Sequence, residues 1–278
     1  MIENETYTVQ TSVGKFRVEK TPTHLKVGQW LQARARNFCV EIRFNDEAEL
    51  QWLITKDGGC ELDDKPIRGS STLHLLHLSF TLLRTYIHVK TIKLLDNSKF
   101  DCSLPNGKKT TIFMNTYSYL FHGGTWYDIN TNAVPMDPIQ HQLYEETKPL
   151  YMDPSVYRDT YVKAPFDFKN PGLQEELTPL YEKVTTWKEF ADSLHENYGK
   201  DELCRKIAPW YQSAVAILTK NRMLPAYWKI DIESSPQIPF TRIAMGGSRR
   251  RTQKQRRYRL PSEDYSILSP SDLYSARL

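Results

Sequence analysis

The sequence predicts an α/β (α+β) protein, a mixed sheet with covering helices followed by a helical hairpin and a basic tail. Three observations predict it. Strand and helix signals alternate through the first half, as they do where helices cover a sheet. Two capped helical patterns follow residue 186. Seven cations and no anion then crowd RRRTQKQRRYR, Arg249 to Arg259. The chain has 278 residues, of which 40% are hydrophobic, enough for one large core or two small ones.

YTVQT and KFRVEK flank Gly14 and predict an N-terminal hairpin. TPTHLKVGQWLQARAR predicts a short helix. FCVEIRF alternates apolar and polar residues, and ELQWLITK follows as a second strand ended by a turn at Asp57-Gly58-Gly59. Leu73, Leu76, Phe80, Leu83 and Ile87 recur at helical spacing, and Leu75, Leu78 and Leu82 widen the stripe, so Thr72–His88 is a helix packed on a sheet. VKTIKLLDNS is a buried strand. TTIFMNTYSYLFH reads as a helix, although its Thr and Phe content also suits a strand. Gly123 and Gly124 stop it, and TWYDI resumes as extended chain. On this reading Gly123 is a left-handed helix terminus, with Trp126 and Tyr127 packed under the next strand.

From Val134 to Pro171 the chain is rich in Pro, Tyr and acids. Its prolines exclude long helices, and its tyrosines predict a segment wrapped over the body. Thr186-Trp187-Lys188-Glu189 fits a capping box, which starts a helix ended by Gly199. Asp201 can cap the next helix, which Pro209 kinks. YWKIDIE is a final strand. The division that follows is 1–135 for the α/β domain, 136–172 for the wrapping segment, 173–233 for the helical hairpin and return strand, and 234–278 for the tail.

Composition narrows the function classes. The four cysteines, Cys39, Cys60, Cys102 and Cys204, form no C-x-x-C pair and read as separate thiols of a reducing compartment. MIENETYTVQ has neither the basic nor the apolar part of a secretory signal, and no apolar run approaches membrane-spanning length. The seven tail cations exceed the formal net charge of +4, so the rest of the chain is mildly acidic.

Arg68, Gly69, Ser70, Ser71 and Thr72 stand at the start of the long helix, where free N–H groups and the helix dipole hold phosphate; the same residues equally make a turn and an N-cap. His74, His77, Thr81, Arg84 and His88 share one side of that helix, a metal stripe or simply its solvated face. No Walker A, H-E-x-x-H, G-x-S-x-G or dinucleotide fingerprint occurs.

The order strand, Arg-Gly loop, long helix, strand ending LLDNS, and helix bearing Tyr119 before glycine resembles the later part of the GNAT (N-acetyltransferase) fold. The resemblance spans roughly residues 36 to 134. It implies acetyl-CoA held by Arg68, Gly69, Ser70, Ser71 and Thr72, with Tyr119 as the catalytic acid. RGSST has one glycine where that family has more, and Gly124 stands where it favours Phe.

HGGTWYDINTNAVP, with LLDNSKFDCSL, TWKEFADSLHENYGKDELC and GGSRRRTQKQRR, also resembles the GKTWYE-like signature of uncharacterised proteins of giant nucleocytoplasmic DNA viruses. Gly124 and Asp128 replace the Lys and Glu of that signature. This resemblance implies a viral origin and brings no activity with it.

Two functions follow. One is a non-enzymatic protein associated with virion or nucleic acid, inside the virion or the host cell and not secreted. Its tail residues Arg249, Arg250, Arg251, Lys254, Arg256, Arg257 and Arg259 bind nucleic acid or an acidic virion protein. The other is an acetyl-CoA-dependent N-acyltransferase.

Overall fold

The computed structural model describes residues 4–29, 38–45, 47–53, 61–62, 65–66, 70–103, 107–163 and 171–243. The protein is mixed α/β and divides into two compact units. One joins the first ninety residues to the chain from Ile232 onward, and the other runs from Thr91 to Asp231.

The first unit is built on β1 (Glu5–Gln10), β2 (Lys15–Lys20), β3 (His24–Gln29), β4 (Phe38–Phe44) and β5 (Ala48–Leu53). These pair antiparallel in sequence order. The hairpin about Gly14 is present, closed by the Thr11 N–H to the Gly14 carbonyl at 2.9 Å. β3 replaces the short helix expected there. Leu25 and Val27 alternate with Lys26 and Gly28, and pair with Ile42 and Val40 on the neighbouring strand. A period of two buries both apolar side chains on one face, where a helix would have separated them. β6 (Glu61–Leu62) and β7 (Lys65–Pro66) form a small ladder of their own. The expected Asp57-Gly58-Gly59 turn lies outside the described residues.

α1 (Ser70–Tyr86) is the expected long helix, beginning and ending two residues before Thr72–His88. Its middle, Leu75 to Leu83, is buried all round. One side packs on β3 and β4. The other lies under residues 233–238. Arg84 donates to the carbonyls of Glu233, Ser235 and Pro236, and Thr81 Oγ1 accepts the Ile238 N–H at 3.0 Å.

The second unit opens with β8 (Thr91–Leu95) and the hairpin β9 (Lys99–Ser103) and β10 (Lys109–Phe113). TTIF is therefore a strand, and the helix α2 begins only at Met114 (Met114–His122). β-branched Thr110, Thr111 and Ile112 suit the pleated ladder, and Gly107 takes a positive φ of 75° in the turn. α3 (Trp126–Thr131) replaces the extended TWYDI. β11 (Val134–Pro135) leads into α4 (Pro138–Thr147), a 3-10 turn (Lys148–Met152) and α5 (Pro154–Lys163). The prolines, expected to exclude long helices here, start two short ones of ten residues each. At the first helical position proline loses no hydrogen bond, and Asp137 caps α4 by accepting from the N–H groups of Ile139 and Gln140.

α6 (Pro171–Glu182) precedes α7 (Trp187–Asn197), whose capping residue is Thr186 as expected. Thr186 Oγ1 accepts the Glu189 N–H, and the Glu189 carboxylate accepts the Thr185 N–H at 2.7 Å. Gly199, not Asp201, takes the cap position of α8 (Lys200–Ile207). Pro209 separates α8 from α9 (Tyr211–Leu218), a break where a kink was expected. β12 (Tyr227–Asp231) pairs antiparallel with β11 on one side and β8 on the other. β13 (Thr241–Ile243) then pairs with β1 in the first unit, inside the stretch assigned to the tail by sequence.

Cys102 and Cys204 form a disulfide across 102 residues, Cα atoms 5.8 Å apart, tying the hairpin to α8. Cys39 is disulfide-bonded as well. The scattered spacing that suggested single thiols hid pairs made by the fold.

Candidate functional site

The stretch from Ser118 to Asp128 converges on one place in the second unit. α2 ends at Gly123, whose φ of 71° is left-handed and whose N–H donates to the Tyr119 carbonyl at 2.9 Å. The expected helix terminus is therefore present. A Cβ on Gly123 would meet the Tyr151 ring at 2.6 Å, so both backbone angle and neighbour require glycine. The Gly124 carbonyl accepts the buried Ser118 hydroxyl at 2.8 Å.

Beyond the glycines, a chain of hydrogen bonds runs through the signature. The Thr125 N–H donates to Tyr144 Oη at 2.8 Å, and Tyr144 Oη donates to Asp128 Oδ2 at 2.9 Å. Lys148 Nζ lies 3.0 Å from that carboxylate and 2.7 Å from Glu145. Burial, reinforced by Asp128, raises the Tyr144 hydroxyl far above its ordinary range, so it stays protonated and donates. The Tyr144 ring stands edge-on to Trp228 at 5.2 Å.

Tyr119, the expected acid, is fully buried on α2. Its hydroxyl donates to the Thr147 carbonyl at 2.9 Å, and burial pushes it up to about 12. Tyr127 is buried too, its hydroxyl raised first by burial and then by the Asp96 carboxylate. Asp96 belongs to LLDNS, so the two separated motifs LLDNS and TWYD meet here. Asp96 Oδ1 accepts the Ser98 N–H at 3.2 Å, and burial raises its carboxyl.

His122, the last residue of α2, stacks with His195 of α7 at 6.3 Å. Burial, then His195 and Lys188, lower His122 to about 3, and burial lowers His195. Both rings are neutral near pH 7.

The other expected site residues lie apart from this place. Ser70 begins α1, and Ser71 and Thr72 are half-buried in its first turn. Arg68, Gly69 and the cations Arg249, Arg250, Arg251, Lys254, Arg256, Arg257 and Arg259 lie outside the described residues. The histidine stripe of α1 is not a solvated face. His77 and Thr81 are buried, and His74 Nε2 is 3.1 Å from Thr11 Oγ1. Among the described residues, no group of three His, Cys, Asp or Glu side chains could hold a metal ion. No described helix is long and apolar enough to cross a membrane.

Sequence reasoning missed Tyr144 and Lys148. Their partner Asp128 stands sixteen and twenty residues away, spacings that carry no periodic signal. The polar groups of the signature are spent largely on one another, which rigidifies the joint between α2, α3 and α4. Comparisons with protein families, with curated proteins and with solved structures find no match for the chain.

Proposed function

We propose that the chain is a non-enzymatic, virion- or nucleic-acid-associated protein, a GNAT-like scaffold carrying a basic arm that binds acidic partners. The observation that carries this reading is the arm itself, seven cations and no anion between Arg249 and Arg259. Such a density of positive charge attracts polyanions whatever their sequence, through release of their condensed counterions. No recognition helix accompanies the charges in the sequence, so the binding expected is sequence-independent.

The signature around Gly123 supports the same reading from the other side. The Tyr119 proton is engaged by Thr147 inside the core, and the hydroxyl of Tyr144 by Asp128. Both tyrosines brace the fold where they stand. The acyltransferase reading keeps one feature, the helix start at Ser70 to Thr72, the kind of place where a pyrophosphate is held.

Calorimetry of the full chain against acetyl-CoA and against duplex DNA separates the two. The binding protein takes up DNA at low salt and leaves acetyl-CoA unbound. Heat from acetyl-CoA without heat from DNA reverses the assignment.

A further inference from the structure

The two sulfurs of the Cys102–Cys204 link differ in access. Cys102 stands in β9 opposite Thr110 of β10, on the hairpin face that carries Phe100 and Ile112, and is 1% exposed. Cys204 stands in α8 and is half-buried. Leu203 and Ile207 make the buried side of that helix, and Glu202 and Arg205 are exposed. A nucleophile arriving from solvent therefore meets the Cys204 sulfur first. Both elements are also held without the link. Tyr211 Oη accepts the Phe113 N–H at 3.4 Å and donates to the Thr111 carbonyl at 3.3 Å. Phe100 stands edge-on to Tyr117 of α2 at 5.4 Å. On the other side, Lys206 of α8 pairs with Glu176 of α6, and the Trp210 indole N–H donates to the Lys206 carbonyl at 2.8 Å. Opening the link therefore leaves each cysteine on an element that has other anchors.

We propose that Cys102 and Cys204 are an exchangeable dithiol–disulfide couple, entered at Cys204 by a small thiol of the glutathione type. A half-buried sulfur on a helix surface admits a small thiolate, and the exposed Arg205 suits an anionic one. For oxidation, the Cys204 thiolate attacks glutathione disulfide, forming a mixed disulfide and releasing one glutathione thiolate. The Cys102 thiolate then attacks the Cys204 sulfur and expels the second glutathione. Two electrons pass to the glutathione disulfide, and the two cysteine protons end on the two glutathione thiols. Reduction runs the same steps backward, with glutathione attacking Cys204 and Cys102 leaving. The couple is independent of the nucleic-acid reading above.

The test starts from the unaltered 278-residue chain, reduced with dithiothreitol, desalted, and treated with limiting N-ethylmaleimide without denaturant. Peptide mapping should find the first label of this pair on Cys204. Glutathione disulfide should leave an adduct at Cys204 in Cys102→Ser, and leave Cys102 unmodified in Cys204→Ser. Amide hydrogen exchange of the reduced, unaltered chain should lose protection in β9, β10 and α8 while α7 keeps its own, and glutathione disulfide should restore it. First labelling of Cys102, or equal labelling of both, overturns the entry at Cys204. If neither thiol reacts without denaturant, or reduction strips protection from α7 as well, the link is a structural staple and the couple falls. Two thiols that glutathione disulfide fails to join also overturn it.

Discussion

Tyr151 lies so close to Gly123 that a single added methyl would stand 2.6 Å from its ring. The helix α2 therefore turns on a residue that has neither an allowed alternative backbone angle nor room for a side chain. Gly123→Ala combines left-handed strain, about 1–2 kcal/mol, with overpacking of about 1–3 kcal/mol. Urea unfolding should show a loss of roughly 2–5 kcal/mol. A loss below about 1 kcal/mol would mean that the Tyr151 contact is slack.

Tyr144→Phe removes the hydroxyl that Thr125 donates to and that donates to Asp128. A buried N–H is then left without its acceptor, which costs about 1–3 kcal/mol. Tyr119→Phe removes one neutral hydrogen bond to Thr147 and should cost less, about 0.5–1.5 kcal/mol. Denaturant midpoints of the two variants, measured side by side, check the order. The reverse order would place the weight of the joint on Tyr119.

His122 and His195 make stability depend on acid. An unfolded histidine takes up its proton near pH 6.5, but folded His122 does so only near 3, and folded His195 is lowered in the same direction. Their contribution is therefore fully present above pH 6.5 and is lost as pH falls below it, because the unfolded chain binds protons that the folded one refuses. Asp96, raised by burial, works in the opposite sense. His122→Gln should flatten the decline in urea midpoint between pH 7 and about 5, a window above most carboxylate titrations. An unchanged slope would show that the ring is hydrated in the native state.

Much of the architecture was legible because periodicity is local. The α1 stripe, the β1–β2 hairpin, the Thr186 cap and the Gly123 terminus all follow from residues a few positions apart. The failures share a cause as well. The alternation of HLKVGQ spans too few residues to exclude a helix, and only pairing with β2 and β4 decides for the strand β3. The prolines at 138, 154 and 171 exclude long helices, as the sequence predicts, but their spacing does not show that each begins a short one. Asp128 of α3 meets Tyr144 of α4 and Lys148 of the 3-10 turn, a meeting that no spacing announces. Cys102 and Cys204 are joined for the same reason.

That disulfide gives a further prediction. It closes a loop of 102 residues, and removing such a link typically costs about 2–4 kcal/mol. Thermal unfolding should shift downward when dithiothreitol is added to the intact protein, and Cys102→Ala with Cys204→Ala should lower the midpoint without reductant. Peptide mapping without reduction should recover the Cys102 and Cys204 peptides linked. Recovery of both as free thiols would remove the link from the native protein.

The central claim is that the basic arm binds polyanions, and salt tests it most directly. The 278-residue chain and a variant of it with Arg249, Arg250, Arg251, Lys254, Arg256, Arg257 and Arg259 all changed to Gln are titrated with duplex DNA across a range of salt. Each phosphate contact contributes about −0.9 to the log–log slope, so four to six engaged side chains predict a slope around −4 to −5 for the unaltered chain. The variant should lose most of that slope and most of its affinity for duplex. Equal duplex binding by both proteins, or none by either at low salt, would contradict the account.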